Sequence, residues 1–258
     1  MKHSIIDSHI HFDQYSESTR STILKELPEY KVEALISVST NLVSAQKNLA
    51  LAEVDERIKP AFGFHPEQEL PSDWEVNQLC SFLNEHKNQM VAIGEVGLPY
   101  YLLREHPEIK VEPYLEMLEI FVKQASELNK PISLHAVYDD APVVCDLLEK
   151  YSVTKAHFHW FKGDERTVQR MIQNGYYISI TPDCLYETEI QQLIKAYPLA
   201  NMMVETDGPW PFGGPFQDTV THPKMIHDSV QQIAEIKRVQ VEKVYVELYK
   251  NTKKFYGL

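Results

Sequence analysis

The chain has 258 residues, 43% hydrophobic and 24% charged, an ordinary globular balance that excludes intrinsic disorder and a collagen-like repeat. No apolar stretch nears the roughly 20 residues of a membrane-spanning helix. Its 37 acidic and 25 basic residues leave a net charge of −12, which argues against a protein that coats DNA through Lys and Arg contacts to phosphate.

From the amino end, short apolar runs alternate with longer helical patterns. Strands are expected over 4–7, 34–39, 60–64, 91–96, 132–135, 155–161, 176–180 and 201–205. Helices are expected over 19–27, 42–54, 73–85, 111–128, 140–150, 164–174, 187–196, 223–237 and 241–256. The clearest helix carries Val111, Tyr114, Leu115, Leu118, Phe121, Val122, Ala125 and Leu128 on one face, and Asn129 with Pro131 stops it. Strand followed by helix, eight times over, implies a parallel sheet. In this length it predicts a single α/β domain, a (β/α)8 TIM-type barrel over residues 1–258. A doubly wound open sheet shares the alternation but usually has a Gly-rich turn after its first strand, where this chain has Ser8-His9-Ile10-His11-Phe12.

The first residues lack the apolar core of a signal peptide, and Cys80, Cys145 and Cys184 are odd in number and far apart. A cytoplasmic protein without disulfides is therefore expected.

In such a barrel the reactive groups gather at the carboxyl ends of the strands. His9 and His11 close the first run, His65 follows the third, Glu95 ends the fourth, His135 the fifth, His159 the sixth, and Asp207 follows the eighth. Random placement would not favour strand ends, so these groups are expected to converge on one mouth. His9 and His11, two apart on a strand, share a face and can grip one cation, or can be two hydrogen-bonded histidines. Asp7 has the same parity and reads either as a partner for a histidine N–H or as an acid bonding nearby backbone. Glu95, amid apolar residues and glycines, is costly to bury unless paired or cation-bound, and its two oxygens can bridge two ions. Asp207 precedes Gly208-Pro209 and reads as a ligand that also takes a proton from water, or as a cap of that turn. Glu205 shares its parity and reads as a substrate contact or ligand. His157 and His159 both have inward parity. His159, nearer the strand end, is the expected ligand and His157 a deeper hydrogen-bonding residue. Trp210 and Phe212, in the loop over 208–215, read as a stacking surface for a base or as packing for the loop. No P-loop, dinucleotide fingerprint or Gly-x-Ser-x-Gly elbow occurs.

With these residues in view, the chain resembles the TatD family of metal-dependent deoxyribonucleases within the amidohydrolase superfamily. The likeness runs from Ile6 to Leu258 through Asp7-Ser8-His9-Ile10-His11, Gly63-Phe64-His65-Pro66, Gly94-Glu95-Val96-Gly97-Leu98, Pro131 to His135, His159 to Gly163 and Glu205-Thr206-Asp207-Gly208-Pro209. The resemblance implies a distorted barrel carrying two, sometimes three, divalent cations. It implies that His9, His11 and Asp207 hold one, that His135 and His159 hold a second, that Glu95 bridges them, and that His65 touches the scissile phosphate. Pro99, Val137, Trp160 and Lys162 depart from the family's usual residues, so the ligands match while groups near the substrate change.

The expected activity is phosphodiester hydrolysis that trims DNA ends. Two ions of Mg, Mn or Zn would activate water, and Asp207 or Glu205 would orient it and take its proton. Nucleic acid is then substrate rather than stable partner, and no membrane is involved. Amide or ester hydrolysis, including deacylation of aminoacyl-tRNA, is the alternative. A non-catalytic metal- or nucleotide-binding module ranks behind both.

Overall fold

Residues 3–258 are described by the computed structural model. Eight strands form one parallel sheet whose spatial order is their chain order: β1 (Ile5–Ile10), β2 (Val32–Val38), β3 (Ile58–Phe62), β4 (Ala92–Gly97), β5 (Ile132–His135), β6 (Ala156–Phe158), β7 (Tyr177–Ile180) and β8 (Met202–Val204). The helices are α1 (Glu17–Glu26), α2 (Leu42–Val54), α3 (Asp73–Glu85), α4 (Tyr100–Glu105), α5 (Glu112–Leu128), α6 (Asp140–Lys150), α7 (Glu165–Gln173), α8 (Thr188–Ala196), α9 (Ile226–Lys237) and α10 (Val241–Tyr256). The expected barrel is the observed one, nearly closed, with a single seam between β8 and β1. No described helix is long and apolar enough to cross a membrane.

Local chemistry sets the helix ends. Ser16, Asn41 and Asp164 side chains accept the N–H three residues on, and Ser72 with Glu75 forms a reciprocal capping box. The α5 stripe buries Tyr114, Leu118, Phe121, Val122 and Ala125, and the helix stops at Asn129 in the left-handed region. A second apolar cluster packs Phe255 and Tyr256 of α10 against Ile6, Ile36, Val38 and Met203.

Some expected limits shift: β6 is only Ala156–Phe158 of the expected 155–161, which leaves His159 just past the strand, and α9 begins at Ile226 rather than 223. Two further departures concern β1 and α4. β1 runs on to Ile10, because Asp7, Ser8 and His9 are polar yet fully buried. The short helix α4 has no buried residue and so no apolar stripe to announce it.

The seam is bridged past the end of β8, by His11 N–H to Gly208 O at 2.7 Å and Asp207 N–H to His9 O at 2.9 Å. Asp7 joins it, accepting the Thr206 N–H at 3.0 Å and the Thr206 hydroxyl. Asp7 therefore bonds backbone and hydroxyl groups rather than an imidazole: the β1 pairing is irregular between Asp7 and Ile10, which breaks the simple two-residue parity. The break in the sheet thus tethers Asp207 to the residues that carry His9 and His11.

Candidate metal centre

Close backbone packing brings β3, β4 and β5 together beneath the mouth. A side chain on Gly97 would place its Cβ 1.8 Å from the His135 carbonyl oxygen, and one on Gly63 would lie 2.6 Å from the Glu95 carbonyl oxygen. Only glycine allows Glu95 and His135 to sit so near each other. Asp207 and Trp160 adopt left-handed φ values of 47° and 37°, strain of the kind found where surrounding structure fixes a side chain for a task.

Glu95 is fully buried at the centre. Its Oε2 lies 3.2 Å from His9 Nε2 and 3.1 Å from His11 Nε2, and Asp207 Oδ1 lies 3.4 Å from each of those nitrogens. Its Oε1 faces a different set: His159 Nε2 at 2.6 Å, His135 Nδ1 at 2.9 Å and His65 Nε2 at 3.4 Å. The residues expected to converge therefore do so, one group on each carboxylate oxygen. His159 borders both groups, its ring stacked on His9 with centroids 3.8 Å apart.

A test of fit to a cation comes from the hydrogen bonds these atoms lack. His9 Nε2, Glu95 Oε2 and Asp207 Oδ1 are buried without a hydrogen-bond partner, and both oxygens lie within 3.4 Å of that nitrogen. Atoms about 2.1 Å from one ion, at angles between octahedral and tetrahedral, lie roughly 3.0–3.4 Å apart, the spacing found here. Three overlapping triads, His9/His159/Asp207, His9/His11/Glu95 and His65/Glu95/His135, each bring their ligand atoms within 4.8 Å of one another. The residues fit a divalent cation, with imidazole and carboxylate donors suited to Zn, Mn or Mg.

Charge follows geometry. Burial works to raise Glu95, but the surrounding imidazoles hold it well below the usual carboxylate range. Asp207 is likewise lowered: His11, His159 and His9 outweigh its burial. Burial lowers His9, helped by neighbouring His159. For His11 burial is outweighed by Asp207 and Glu95, which raise it to about 10, and for His135 it is outweighed by Glu67 and Glu95, which raise it to about 9. Burial pushes His65 down to about 4. Its Nδ1 accepts the Glu67 backbone N–H at 3.2 Å, so the neutral ring carries its proton on Nε2 and presents a donor to the site.

Glu205 lies on the far side of His159 from Glu95. One oxygen accepts the Trp160 N–H at 2.8 Å and stands 3.6 Å from His159 Nδ1, and the other accepts the Ser179 hydroxyl. The expectation that it orients the attacking water does not match this location, because both oxygens are engaged and His159 stands between Glu205 and Glu95. His157 bonds Ser179 Oγ at 2.6 Å and Tyr256 OH at 2.8 Å, as a deeper residue should. Ser133 Oγ, 3.1 Å from His9 Nδ1, and Glu67, 3.1 Å from His135 Nε2, had no signal in the sequence. Around the mouth, Phe212 is buried against Trp160 and Leu185, whereas Trp210 is 58% exposed and Tyr101 45%.

A parallel barrel with histidine and carboxylate donors at the carboxyl ends of its strands defines a metal-dependent hydrolase. The chain belongs to the TatD family: residues 6–257 match the family described as TatD related DNase. An uncharacterized metal-dependent hydrolase of Haemophilus influenzae is 38% identical over 255 residues, covering 98% of this chain and 100% of that protein. The human deoxyribonuclease TATDN3 is 26% identical, covering 98% and 94%. The crystal structure of YjjV, a TatD homologue from Escherichia coli, superposes with a TM-score of 0.88 at 26% identity over 98% of both chains.

Proposed function

We propose that this protein is a deoxyribonuclease that hydrolyses phosphodiester bonds at DNA ends with two divalent cations, Mg, Mn or Zn. The observation that carries the reading is the split environment of Glu95, whose Oε2 faces His9 and His11 while its Oε1 faces His135 and His159. On this reading His9, His11 and Asp207 would hold one ion and His135 and His159 the other, with Glu95 contributing to both. The bound ions would supply Lewis acidity, lowering the pKa of water and offsetting charge on the phosphate oxygens.

The chain's own residues supply the rest. Asp207 stands at the barrel mouth with its carboxylate ionised, as a base that takes a proton from attacking water must be. His65 is neutral and offers its Nε2–H to a phosphate oxygen as a hydrogen-bond donor. Glu205 stands 3.6 Å from His159 Nδ1, on the side of that ring away from Glu95, and its negative charge favours a proton on that nitrogen. The name given to human TATDN3 supports DNA as the substrate.

The acidic and aromatic rim favours a second reading on the same centre, amide or ester hydrolysis. Glu67, Asp140 and Glu189 lie on the β5 side, where Glu189 accepts the Tyr138 hydroxyl at 3.1 Å, while Lys162 stands over the Trp160 ring. Purified protein with Mn2+ or Mg2+ should shorten labelled single- and double-stranded DNA, and Asp207→Ala should not. Intact DNA, with Asp207-dependent cleavage of an amide or ester panel, would replace the first reading by the second.

A further inference from the structure

Four of the five imidazoles around Glu95 face it through Nε2; His135 alone faces it through Nδ1. Such a reversal needs a group that holds the His135 proton on its outer nitrogen, and Glu67 is that group. Its Oε1 lies 3.1 Å from His135 Nε2. An ionised carboxylate only accepts, so the proton between them sits on Nε2. Nδ1 faces Glu95 Oε1 at 2.9 Å, and it is the proton on that nitrogen that a cation at the centre would displace, leaving the Nδ1 lone pair to the ion. Glu67 is itself fixed, because its oxygens accept the Tyr101 N–H at 2.9 Å and the Leu102 N–H at 2.6 Å from the first turn of α4. The same residue's backbone N–H donates to His65 Nδ1, which fixes the proton of that ring on Nε2, the nitrogen that faces Glu95.

We propose that Glu67 is a positioning residue that assigns opposite roles to two neighbouring imidazoles: through its carboxylate it makes His135 a lone-pair donor to a cation, and through its backbone N–H it makes His65 a proton donor to the substrate. Both rings carry hydrogen on Nε2, but His135 has that nitrogen turned away from the centre and His65 has it turned inward. Glu67 thereby separates ion binding from substrate binding on the Oε1 side of Glu95. The assignment to His135 rests on the two-ion reading above. The assignment to His65 rests on one backbone hydrogen bond and survives any change of the Glu67 side chain.

The test is stepwise Zn2+ titration by calorimetry of metal-free wild type, Glu67→Ala and Glu67→Gln, with histidine 15N spectra of each Zn2+-loaded protein to locate the ring protons. In wild type two binding steps are expected, with both His65 and His135 protonated at Nε2. Glu67→Ala should weaken one step about 10–100-fold, the usual cost of losing a carboxylate behind a ligating histidine, and leave the other step and the His65 tautomer unchanged. Glu67→Gln keeps an acceptor for the His135 proton and should fall between the two, which separates this role from simple loss of folding. A wild type that binds two ions alongside a Glu67→Ala protein with unaltered steps, or a His135 proton on Nδ1, would overturn the proposal while sparing the two-ion reading. A wild type that binds no Zn2+ would overturn both.

Discussion

Two sets of buried histidines in this barrel differ in how their nitrogens are used. His157 bonds Ser179 and Tyr256, and His227 bonds Tyr245 OH and the Tyr30 carbonyl, so each ring has both nitrogens engaged by neutral protein groups. His9, His11, His135 and His159 instead turn a nitrogen toward the Glu95 carboxylate and toward one another. Burial alone does not distinguish the sets, since His157 and His9 are both fully buried. The distinction is satisfaction: a partnered imidazole holds the fold together, while imidazoles converging on a shared buried carboxylate need positive charge there, from ring protons or from a bound ion.

Several changes would sharpen or break that contrast. Asp207→Ala removes both a ligand atom and the proposed base, and turnover should fall about 10²–10⁴-fold with the fold intact by circular dichroism. Unchanged turnover would remove Asp207 from the mechanism. His157→Asn should leave ion content untouched but strand buried groups on Ser179 and Tyr256, costing about 1–3 kcal/mol in thermal or urea unfolding. If it lost the ions instead, the division between the two sets would fail.

The next effect is smaller and depends on pH. In the metal-free protein His11 and His135 have folded values of about 10 and about 9, above the ordinary 6.5. A raised value means that the protonated ring stabilises the folded state. That contribution is complete below about pH 6.5 and is lost as pH climbs through 9 and 10. The melting temperature of metal-free protein should therefore decline over that window, and saturating Mn2+ should flatten the decline. A metal-free protein that grows more stable toward pH 10 would contradict the charge assignment. Last, His106→Ala changes an exposed ring paired only with Glu108 and should shift stability by no more than about 0.5 kcal/mol, with ion content unchanged.

Much of this was legible in the sequence, for identifiable reasons. Alternating strand and helix patterns give the barrel, and α3, α6 and α10 have the expected limits because each carries a buried apolar face, while α2 has them although it buries only Ser44, Ala45 and Asn48. His9, His11, Glu95, His135 and Asp207 stood out because polar residues at the ends of apolar strands need a reason to be there. What escaped notice depends on distance in the fold. Asp7 finds its partner at Thr206, 199 positions away, and Tyr256 reaches the Ser8 carbonyl from the other end of the chain. Glu67 lies in a loop, where one more glutamate has no periodicity to mark it, and α4, whose first N–H groups it accepts, lacks an apolar face. Glu205 had the right parity, but its strand ends at Val204 and its carboxylate turns behind His159.

The central claim, that Glu95 is shared between two ion-binding sets, is tested most directly by anomalous diffraction from crystals grown with Mn2+. Two peaks are expected, one beside each Glu95 oxygen, with His9, His11 and Asp207 around the first and His135, through Nδ1, and His159 around the second. Mn2+ bound elsewhere, or a Glu95 carboxylate still ringed by protonated histidines at saturating Mn2+, would contradict it.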